Sequence, residues 1–242
     1  DWKASTQDNY AAEEGFVGAL AHLREHLDAK WHGNYNAARQ RWQDAAVHRV
    51  VATDDKGAGP TKKPWLVYTC GPMGAGKGWV MNWMSQRDIL PLRRVVHVDP
   101  DRFKRLMPEW PSYMSSDAKC AGTLCHRESG TLAELAQALA MDQRCHVWVD
   151  GSLRDFDWYA PKIASLRKQF PHYRIALFYI HASEATVRKR VESRARRCGE
   201  DTRHIPEDVL AASLAAPALS LRALTPHVDF VARITNESAN DP

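Results

Sequence analysis

The most constraining feature of the sequence is an alternation, from residue 65 onward, of short apolar runs with helix-patterned stretches. The apolar runs predict strands at Trp65–Thr69, Val95–Val98, His146–Val149, Arg174–Ile180 and Val228–Ile234. The stretches between them predict helices at Lys77–Arg87, Thr131–Met141, Trp158–Gln169, Glu184–Arg197 and after Pro206. Because several strands are apolar throughout, the pattern indicates an α/β fold with a doubly wound, mainly parallel sheet. Ligands of such sheets bind beyond the carboxyl ends of the strands.

The segment before this alternation has a helical pattern, and residues 1–52 are predicted to form an N-terminal helical extension. The first of its helices is predicted from the spacing of Phe16, Val17, Leu20, Leu23 and Leu27. Gly33 and Asn34 interrupt it, and a second helix follows from Ala37 to Val50. Residues 53–64 are rich in Gly, Pro and Lys and predict a linker, so the catalytic domain is expected at 65–242.

Composition narrows the functional classes. The net charge of +4 suits a phosphorylated substrate but does not favour nucleic acid as a partner. Five scattered Cys among 242 residues do not form a disulfide framework, which favours a reducing, cytoplasmic location. No apolar run approaches the ~20 residues of a membrane span, so no membrane association is expected. The chain begins with Asp1, so we expect a fragment of a longer protein whose targeting signals could be missing.

A glycine-rich loop follows the first predicted strand and matches the P-loop (Walker A) pattern G-x-x-x-x-G-K. Backbone N–H groups of such a loop converge on phosphate oxygens, the helix N-terminus adds its positive dipole end, and Lys77 supplies a cation. Gly78 stands where Ser or Thr normally offers a hydroxyl to Mg²⁺. The predicted nucleotide-binding residues are Gly71, Pro72, Met73, Gly74, Ala75, Gly76, Lys77, Gly78 and Trp79.

Acidic residues follow the second and third strands. Asp101 is our candidate general base for an attacking hydroxyl, with Asp99 orienting it or holding magnesium, and Lys104 nearby in the substrate set. An Asp-Pro-Asp turn that caps the next helix explains the same spacing. Asp150 after strand three suits magnesium coordination, and Ser152 and Arg154 suit contacts to phosphate or substrate. A simple turn is the alternative there too.

Two helical regions supply further candidates. The helix after strand four is strongly basic, and its arginines are predicted either to form a solvated face or to close over the γ-phosphate as a lid. Before strand three, Ser129 or Thr131 could cap the helix that carries Glu134. Alternatively, carboxylates there, Glu128 and Glu134, could hold the hydroxyls of an acceptor.

Together these residues resemble the zeta-toxin family of P-loop kinases, whose founding members phosphorylate UDP-N-acetylglucosamine. The resemblance covers about residues 65–235 and rests on the loop Gly71–Lys77 and on Asp99-Pro100-Asp101-Arg102-Phe103-Lys104. It implies a P-loop kinase fold, with Asp101 as the catalytic base, Glu134 as a substrate contact, and Arg190 or Arg194 together with Arg203 as phosphate-binding arginines. Gly78 and Met107-Pro108-Glu109-Trp110 look most like eukaryotic members.

The sequence therefore predicts a kinase that uses ATP or GTP and Mg²⁺ to phosphorylate a hydroxyl of a small molecule, with a nucleotide sugar as one candidate acceptor. Two alternatives stay open at this point. A polynucleotide 5′-hydroxyl kinase would use the basic helix and the scattered Trp residues, and its binding would weaken steeply with salt. A nucleotide-binding regulatory module without transfer would explain Gly78.

Overall fold

The structure, a computed structural model, describes residues 1–55, 59–90, 94–196 and 207–237. These ranges contain five strands: β1 Trp65–Cys70, β2 Val95–Val98, β3 His146–Val149, β4 Arg174–His181 and β5 Phe230–Thr235. They also contain helices α1 Thr6–Tyr10, α2 Ala21–Arg24, α3 Ala29–His32, α4 Ala37–Asp55, α5 Lys77–Gln86, α6 Pro100–Leu106, α7 Trp110–Asp117, α8 Ala121–Leu124, α9 His126–Asp142, α10 Phe156–Gln169, α11 Glu184–Arg196 and α12 Glu207–Leu224. A short 3₁₀ helix, Thr225–His227, follows α12.

The chain divides into two compact units. The first comprises residues 1–59 and 98–143, and the second comprises residues 60–97 and 144–242. The division predicted from sequence, with a linker at 53–64 and a kinase domain at 65–242, stays a prediction.

The five strands form one parallel sheet in the order β2-β3-β1-β4-β5, which confirms the predicted α/β fold class. The central strand β1 pairs with β3 and β4, and β5 pairs with β4. Because β1 lies in the middle, all but one of its residues are buried. The loop that leaves the carboxyl end of β1 therefore starts from a buried strand that is hydrogen-bonded on both sides.

In the second unit, successive side chains of β1 face opposite sides of the sheet, as the period of a strand requires. Val67 packs with Val80, Met81 and Met84 of α5 in one buried cluster. On the other face, the Tyr68 ring contacts Tyr159 of α10, and Cys70 Sγ lies 3.6 Å from the Pro217 carbonyl oxygen of α12. Helices thus cover both faces of the sheet, as the wholly apolar strands predicted.

Helix α12 is unusually apolar. Together with the 3₁₀ turn it forms the segment Glu207–His227, which contains an 18-residue window with a mean hydropathy of 1.3 and is long and apolar enough to cross a membrane by length and composition only. This differs from the sequence-based expectation that no such segment exists. It is weak evidence for a membrane span, because a core helix passes the same test, and α12 packs against α10 and β4.

The first helix predicted in the N-terminal segment is largely wrong, since only Ala21–Arg24 of that stretch is helical in the described structure. Side chains of α4 bond to the backbone instead: Gln40 accepts from Val17 N at 2.8 Å, and Asp44 accepts from Leu20 N at 3.3 Å. Gly18, at φ 85°, lies close to Asp44 and turns the chain. The apolar spacing arose from burial of Leu20 and Leu23, not from a helix.

Helix α9 is the centre of the first unit, because α1, α2, α3, α4, α6 and α8 all contact it. It begins at His126, so neither Ser129 nor Thr131 caps it, contrary to one reading of the sequence. Their hydroxyls instead donate to the His126 and Arg127 carbonyls inside the helix. Helix α4 of the N-terminal segment packs along α9 and supplies the charged contact described next.

A buried cation joins three helices of the first unit. The Arg39 guanidinium of α4 donates to both oxygens of Glu128 at 2.6 and 2.9 Å and to both oxygens of Glu109 at 3.0 Å. Its carbon lies 4.2 Å from the centre of the Tyr10 ring and 4.2 Å from that of Trp42. The Tyr10 hydroxyl also donates to Glu109, and this bond raises the pKa of Tyr10 to about 12. The N-terminal helices are therefore an integral part of this unit.

We expect Arg39→Met to lower the free energy of unfolding by about 3–5 kcal/mol, because it leaves two buried carboxylates without their cation. Urea unfolding measures the change. Arg41→Met, on the exposed side of the same helix, is the matched control and should change stability by less than about 0.5 kcal/mol. Equal stability of the two variants would contradict the account of this cluster.

Candidate active site

The predicted phosphate loop joins the central strand to a helix, in the second unit. It leaves β1 after Cys70 and enters α5 at Lys77, with Gly76 as the N-cap at φ 82° and ψ 32°. The first N–H groups of a helix have no partner within it, and they carry its positive dipole end. The loop is therefore built as an anion-binding turn.

Glycine is required at two places in this loop for steric reasons. A Cβ on Gly71 would lie 2.1 Å from the Ile180 carbonyl oxygen of β4, so only glycine lets the chain pass that close to the strand. A Cβ on Gly76 would lie 2.5 Å from the Asn236 amide nitrogen, and its left-handed φ also favours glycine. The two glycines that define the motif are thus explained by contacts with distant parts of the chain.

Two buried side chains from the end of the sequence hold the loop, and sequence reasoning missed both. Asn236, just after β5, donates from its amide to the Ala75 carbonyl at 2.8 Å. Ser213 of α12 accepts from Met73 N at 2.8 Å. Both are about 1% exposed. Neither belongs to a local motif, so only the fold could reveal them.

We expect Asn236→Ala to weaken nucleotide binding by about five- to thirtyfold, because a buried loop carbonyl loses its donor at a cost of about 1–2 kcal/mol. Isothermal titration with ATP measures the change. Asn82→Ala, at an exposed position on α5, is the control and should bind as the parent does. An unchanged dissociation constant for Asn236→Ala would show that Asn236 does not shape the loop.

Lys77 lies at the start of α5 and its ammonium is already engaged with the loop. It donates to the carbonyls of Gly71 at 3.1 Å and Pro72 at 3.2 Å. A phosphate bound by the loop would exchange for these carbonyls as the partner of the ammonium. This fits the role predicted for Lys77.

Asp150 follows β3 and is fixed by two neighbours. Thr69 of β1 donates to one carboxylate oxygen at 2.9 Å, and His97 Nε2 of β2 lies 3.7 Å from the other. Burial would raise the pKa of Asp150, but His97 and the charge of Lys77 outweigh it and lower that pKa below its ordinary value. The carboxylate therefore stays ionised at neutral pH.

Thr69 and His97 are further residues that the sequence did not single out. The Thr69 hydroxyl also accepts from Trp148 Nε1 at 3.3 Å, and the His97 ring stacks on the Trp148 ring at 3.8 Å. Leu153, three residues after Asp150, is buried at φ 51°, an uncommon backbone conformation for a leucine. Such strain often accompanies functional turns.

The predicted lid arginines have different surroundings. Arg190 of α11 donates to the Asn236 carbonyl at 3.0 Å and lies 3.4 Å from the Ala75 carbonyl, so it contacts the phosphate loop. Arg194 is exposed on the same helix. Arg203 lies outside the described residues. Of the two that the structure describes, Arg190 is thus the one with a contact that fits phosphate binding.

The remaining candidates of this unit lie at the surface or near it. Trp79 is 41% exposed on α5. Ser152 is half-buried and Arg154 is exposed in the turn after β3. A Cβ on Gly78 would meet no atom within 4 Å, so a serine would fit at this position.

In the first unit, the capping alternative for the Asp-Pro-Asp turn is observed at Asp99, while the catalytic role predicted for Asp101 stays a prediction. Asp99 is the N-cap of α6 and accepts from Asp101 N at 2.8 Å, with Arg105 3.8 Å away. Asp101 pairs with Lys104 at 3.2 Å, and its side chain is 34% exposed. Asp99 therefore serves as a cap, whereas Asp101 has a carboxylate that solvent can reach.

The two glutamates predicted to bind the acceptor differ in access. Glu128 is fully buried, and Arg39 and Gln43 donate to its oxygens at 2.6 to 2.9 Å. Its visible role is to hold α4 on α9, and substrate could reach it only if that network opened. Glu134 is partly exposed and lies 3.0 Å from His32 Nε2. Glu134 is thus the better placed for a ligand.

Magnesium fits the donors of this chain only as part of a complex with nucleotide. No group of three or more His, Cys, Asp or Glu side chains converges anywhere in the described ranges. Mg²⁺, however, usually takes one or two protein carboxylates and completes its shell with phosphate oxygens and water. Asp150, ionised and oriented, is suited to that role, whereas Asp99 uses one oxygen to cap α6 and its predicted role at magnesium stays a prediction.

A glycine-rich turn between a central parallel strand and a helix, with a lysine at the helix start, defines a P-loop kinase-like α/β protein. The zeta-toxin family matches residues 48–240, and the chain belongs to that family. The family resemblance inferred from the motifs is therefore confirmed. No curated protein matches the chain significantly.

Several solved structures share the fold. A chain of the PezAT toxin–antitoxin system of Streptococcus pneumoniae is 16% identical with a TM-score of 0.57, over 67% of this chain and 65% of that one. This chain thus spans less than two thirds of the pneumococcal one. A chain of the AvrRxo1-ORF1:-ORF2 complex with ATP is 16% identical with a TM-score of 0.60, and the match covers 92% of this chain and 69% of that one. A candidate kinase from Chloroflexus aurantiacus is 14% identical with a TM-score of 0.50, and the match covers 74% of this chain and 92% of that one.

Proposed function

We propose that this chain is an ATP- or GTP-dependent phosphotransferase that phosphorylates a hydroxyl of a small molecule. The observation that carries the proposal is the Gly71–Lys77 loop at the end of the central strand, with its lysine on the loop carbonyls. Membership of a kinase-like family supports it. A nucleotide sugar such as UDP-N-acetylglucosamine is our first candidate acceptor.

In the proposed reaction, the loop amides and Lys77 hold the β- and γ-phosphates. The acceptor oxygen attacks the γ-phosphorus, the bond from that phosphorus to the β–γ bridging oxygen breaks, and the nucleoside diphosphate leaves. Asp101 accepts the proton of the acceptor hydroxyl. Asp150 would hold Mg²⁺, which supplies charge neutralisation at the phosphates when bound. Arg190, already against the loop, contributes positive charge there.

The direct test is incubation of the intact chain with ATP or GTP labelled at the γ-phosphate, first with UDP-N-acetylglucosamine and then with a metabolite extract. We expect a labelled, phosphorylated product whose formation needs Lys77. Activity that falls steeply with salt and needs a polynucleotide would point to the 5′-hydroxyl kinase instead. Saturable nucleotide binding with no labelled product in any extract would refute transfer and favour a regulatory module.

The open space at Gly78 allows a gain-of-function prediction. Gly78→Ser should place a hydroxyl where P-loops usually offer one to magnesium, without a clash. We expect it to lower the Mg²⁺ concentration for half-maximal ATP binding by about three- to tenfold, the worth of one added polar contact. Gly78→Ala controls for the helix propensity of the new residue. If serine and alanine behave alike, the hydroxyl position has no role in this protein.

A further inference from the structure

One face of α9 carries an aromatic and polar cluster that joins Glu134 to residues with no role assigned so far. His126, Gly130 and Glu134 are four residues apart and therefore share this face. Trp31 and His32 of α3 pack against it, within the same unit. Both precede residue 48, where the zeta-toxin match begins, so the cluster combines a family position with residues from outside the family match.

The His32 ring connects two side chains of α9. Its Nδ1 lies 2.9 Å from the Thr131 hydroxyl, which also lies 3.1 Å from the Arg127 carbonyl. The other nitrogen, Nε2, lies 3.0 Å from a Glu134 oxygen. Because His32 is buried, this pair of bonds fixes the direction in which the Glu134 carboxylate is presented.

Trp31 lies directly on the helix because Gly130 has no side chain. A Cβ on Gly130 would come within 2.8 Å of the far edge of the indole. Glycine is disfavoured inside a helix, so this close approach explains its presence in α9. The indole remains 38% exposed and meets the His32 and His126 rings edge to face. An exposed, held indole beside a held carboxylate is a typical arrangement for binding a ring that carries hydroxyls.

We infer that Trp31 and Glu134, with His32 as a positioning residue, form a subsite for a hydroxyl-bearing ring of the acceptor, a sugar or a nucleoside. Trp31 stacks on the ring and Glu134 accepts from its hydroxyls. The cavity that borders His32 has a volume of only about 10 Å³, room for one water, so the ring binds on the outer side of the cluster. The inference rests on the proposed function, because an acceptor contact at Glu134 comes from the family resemblance.

The test measures binding of three probes, UDP-N-acetylglucosamine, uridine and N-acetylglucosamine, to the intact chain by saturation-transfer NMR. The three distinguish a sugar subsite from a nucleoside subsite. We expect Trp31→Leu, which keeps an apolar side chain over Gly130, to weaken binding about tenfold, the worth of one stacked ring. Glu134→Gln should weaken it similarly, while ATP binding is unchanged in both. Trp2→Leu, at a 52% exposed tryptophan of the same unit, is the matched control.

For His32, the conservative variant separates positioning from packing. His32→Gln keeps a donor for Glu134 and should retain more probe affinity than His32→Ala at equal stability in urea. The inference is overturned if the parent binds none of the three probes, or if Trp31→Leu and Glu134→Gln bind them as the parent does. Probe binding without phosphoryl transfer would count against the kinase proposal alone. Transfer with an unchanged acceptor KM in Trp31→Leu would count against the subsite alone.

Discussion

Replacing Asp101 by asparagine is expected to leave ATP binding unchanged and to slow phosphoryl transfer by about 10²–10⁴-fold, the usual contribution of a general base. The amide has nearly the shape of the carboxylate but cannot accept the acceptor proton. Asp101 suits the role because its side chain is 34% exposed, whereas Asp99 is used as the cap of α6. Single-turnover kinetics with labelled ATP measure the effect on the chemical step.

Two controls make the result interpretable. Asp142→Asn, at an exposed position in the same unit, should transfer at the parent rate. Because Asp101 also pairs with Lys104, which is only 8% exposed, urea unfolding must show that Asp101→Asn is still folded. Turnover of a folded Asp101→Asn variant at the parent rate would show that another group accepts the proton.

Replacing Lys77 by alanine should weaken binding of ATP or GTP by at least about a hundredfold, because a charge-assisted contact to the phosphates is lost at a partly buried position. Urea unfolding must show that the variant is still folded, because Lys77 also donates to the carbonyls of Gly71 and Pro72, which are buried. Isothermal titration in excess magnesium gives the dissociation constants directly.

Lys63→Ala is the matched control for this variant. Lys63 is an exposed lysine of the same unit, just before β1, and its removal changes the net charge equally. We expect its nucleotide affinity to equal that of the parent. If both lysine variants bound more weakly by the same factor, general electrostatic attraction rather than the loop would explain binding.

Much of the fold was predictable because the strands have sharp boundaries in the sequence. The predicted and observed bounds of β2 and β3 coincide, and those of β1 and β4 differ by one residue. Where an apolar run stops at a glycine or an acidic residue, the end of the strand can be predicted to within about one residue. The helix predicted from Phe16 to Leu27 was wrong because apolar spacing alone does not specify a helix. The apolar residues of this stretch lie in irregular chain, and side chains of α4 bond to its backbone.

The site was predictable where its chemistry is local in sequence. The loop from Gly71 to Lys77 and the turn at Asp150 can each be recognised from a stretch of only a few residues. The groups that hold them do not, because Asn236 lies 161 residues from Ala75, and Thr69 lies 81 residues from Asp150. A single Asn or Thr carries no pattern, so these roles became visible only with the fold.

The N-terminal segment shows a related limit. From the sequence it reads as an extension beside a catalytic domain, and the family match begins only at residue 48. In the structure, Arg39 from this segment supplies the cation for Glu109 and Glu128, and His32 holds Glu134. Charge pairs between residues about 70 to 100 positions apart leave no periodic signal, so sequence alone could not assign the segment a role.

The central claim is that the turn after β1 binds a nucleoside triphosphate, and one calorimetric titration tests it most directly. The intact, folded chain is titrated with ATP and with GTP in the presence of magnesium, before any acceptor is added. The account predicts saturable heat for at least one nucleotide, with a stoichiometry near one, and its loss in Lys77→Ala. No heat and no saturation with either nucleotide would contradict the account.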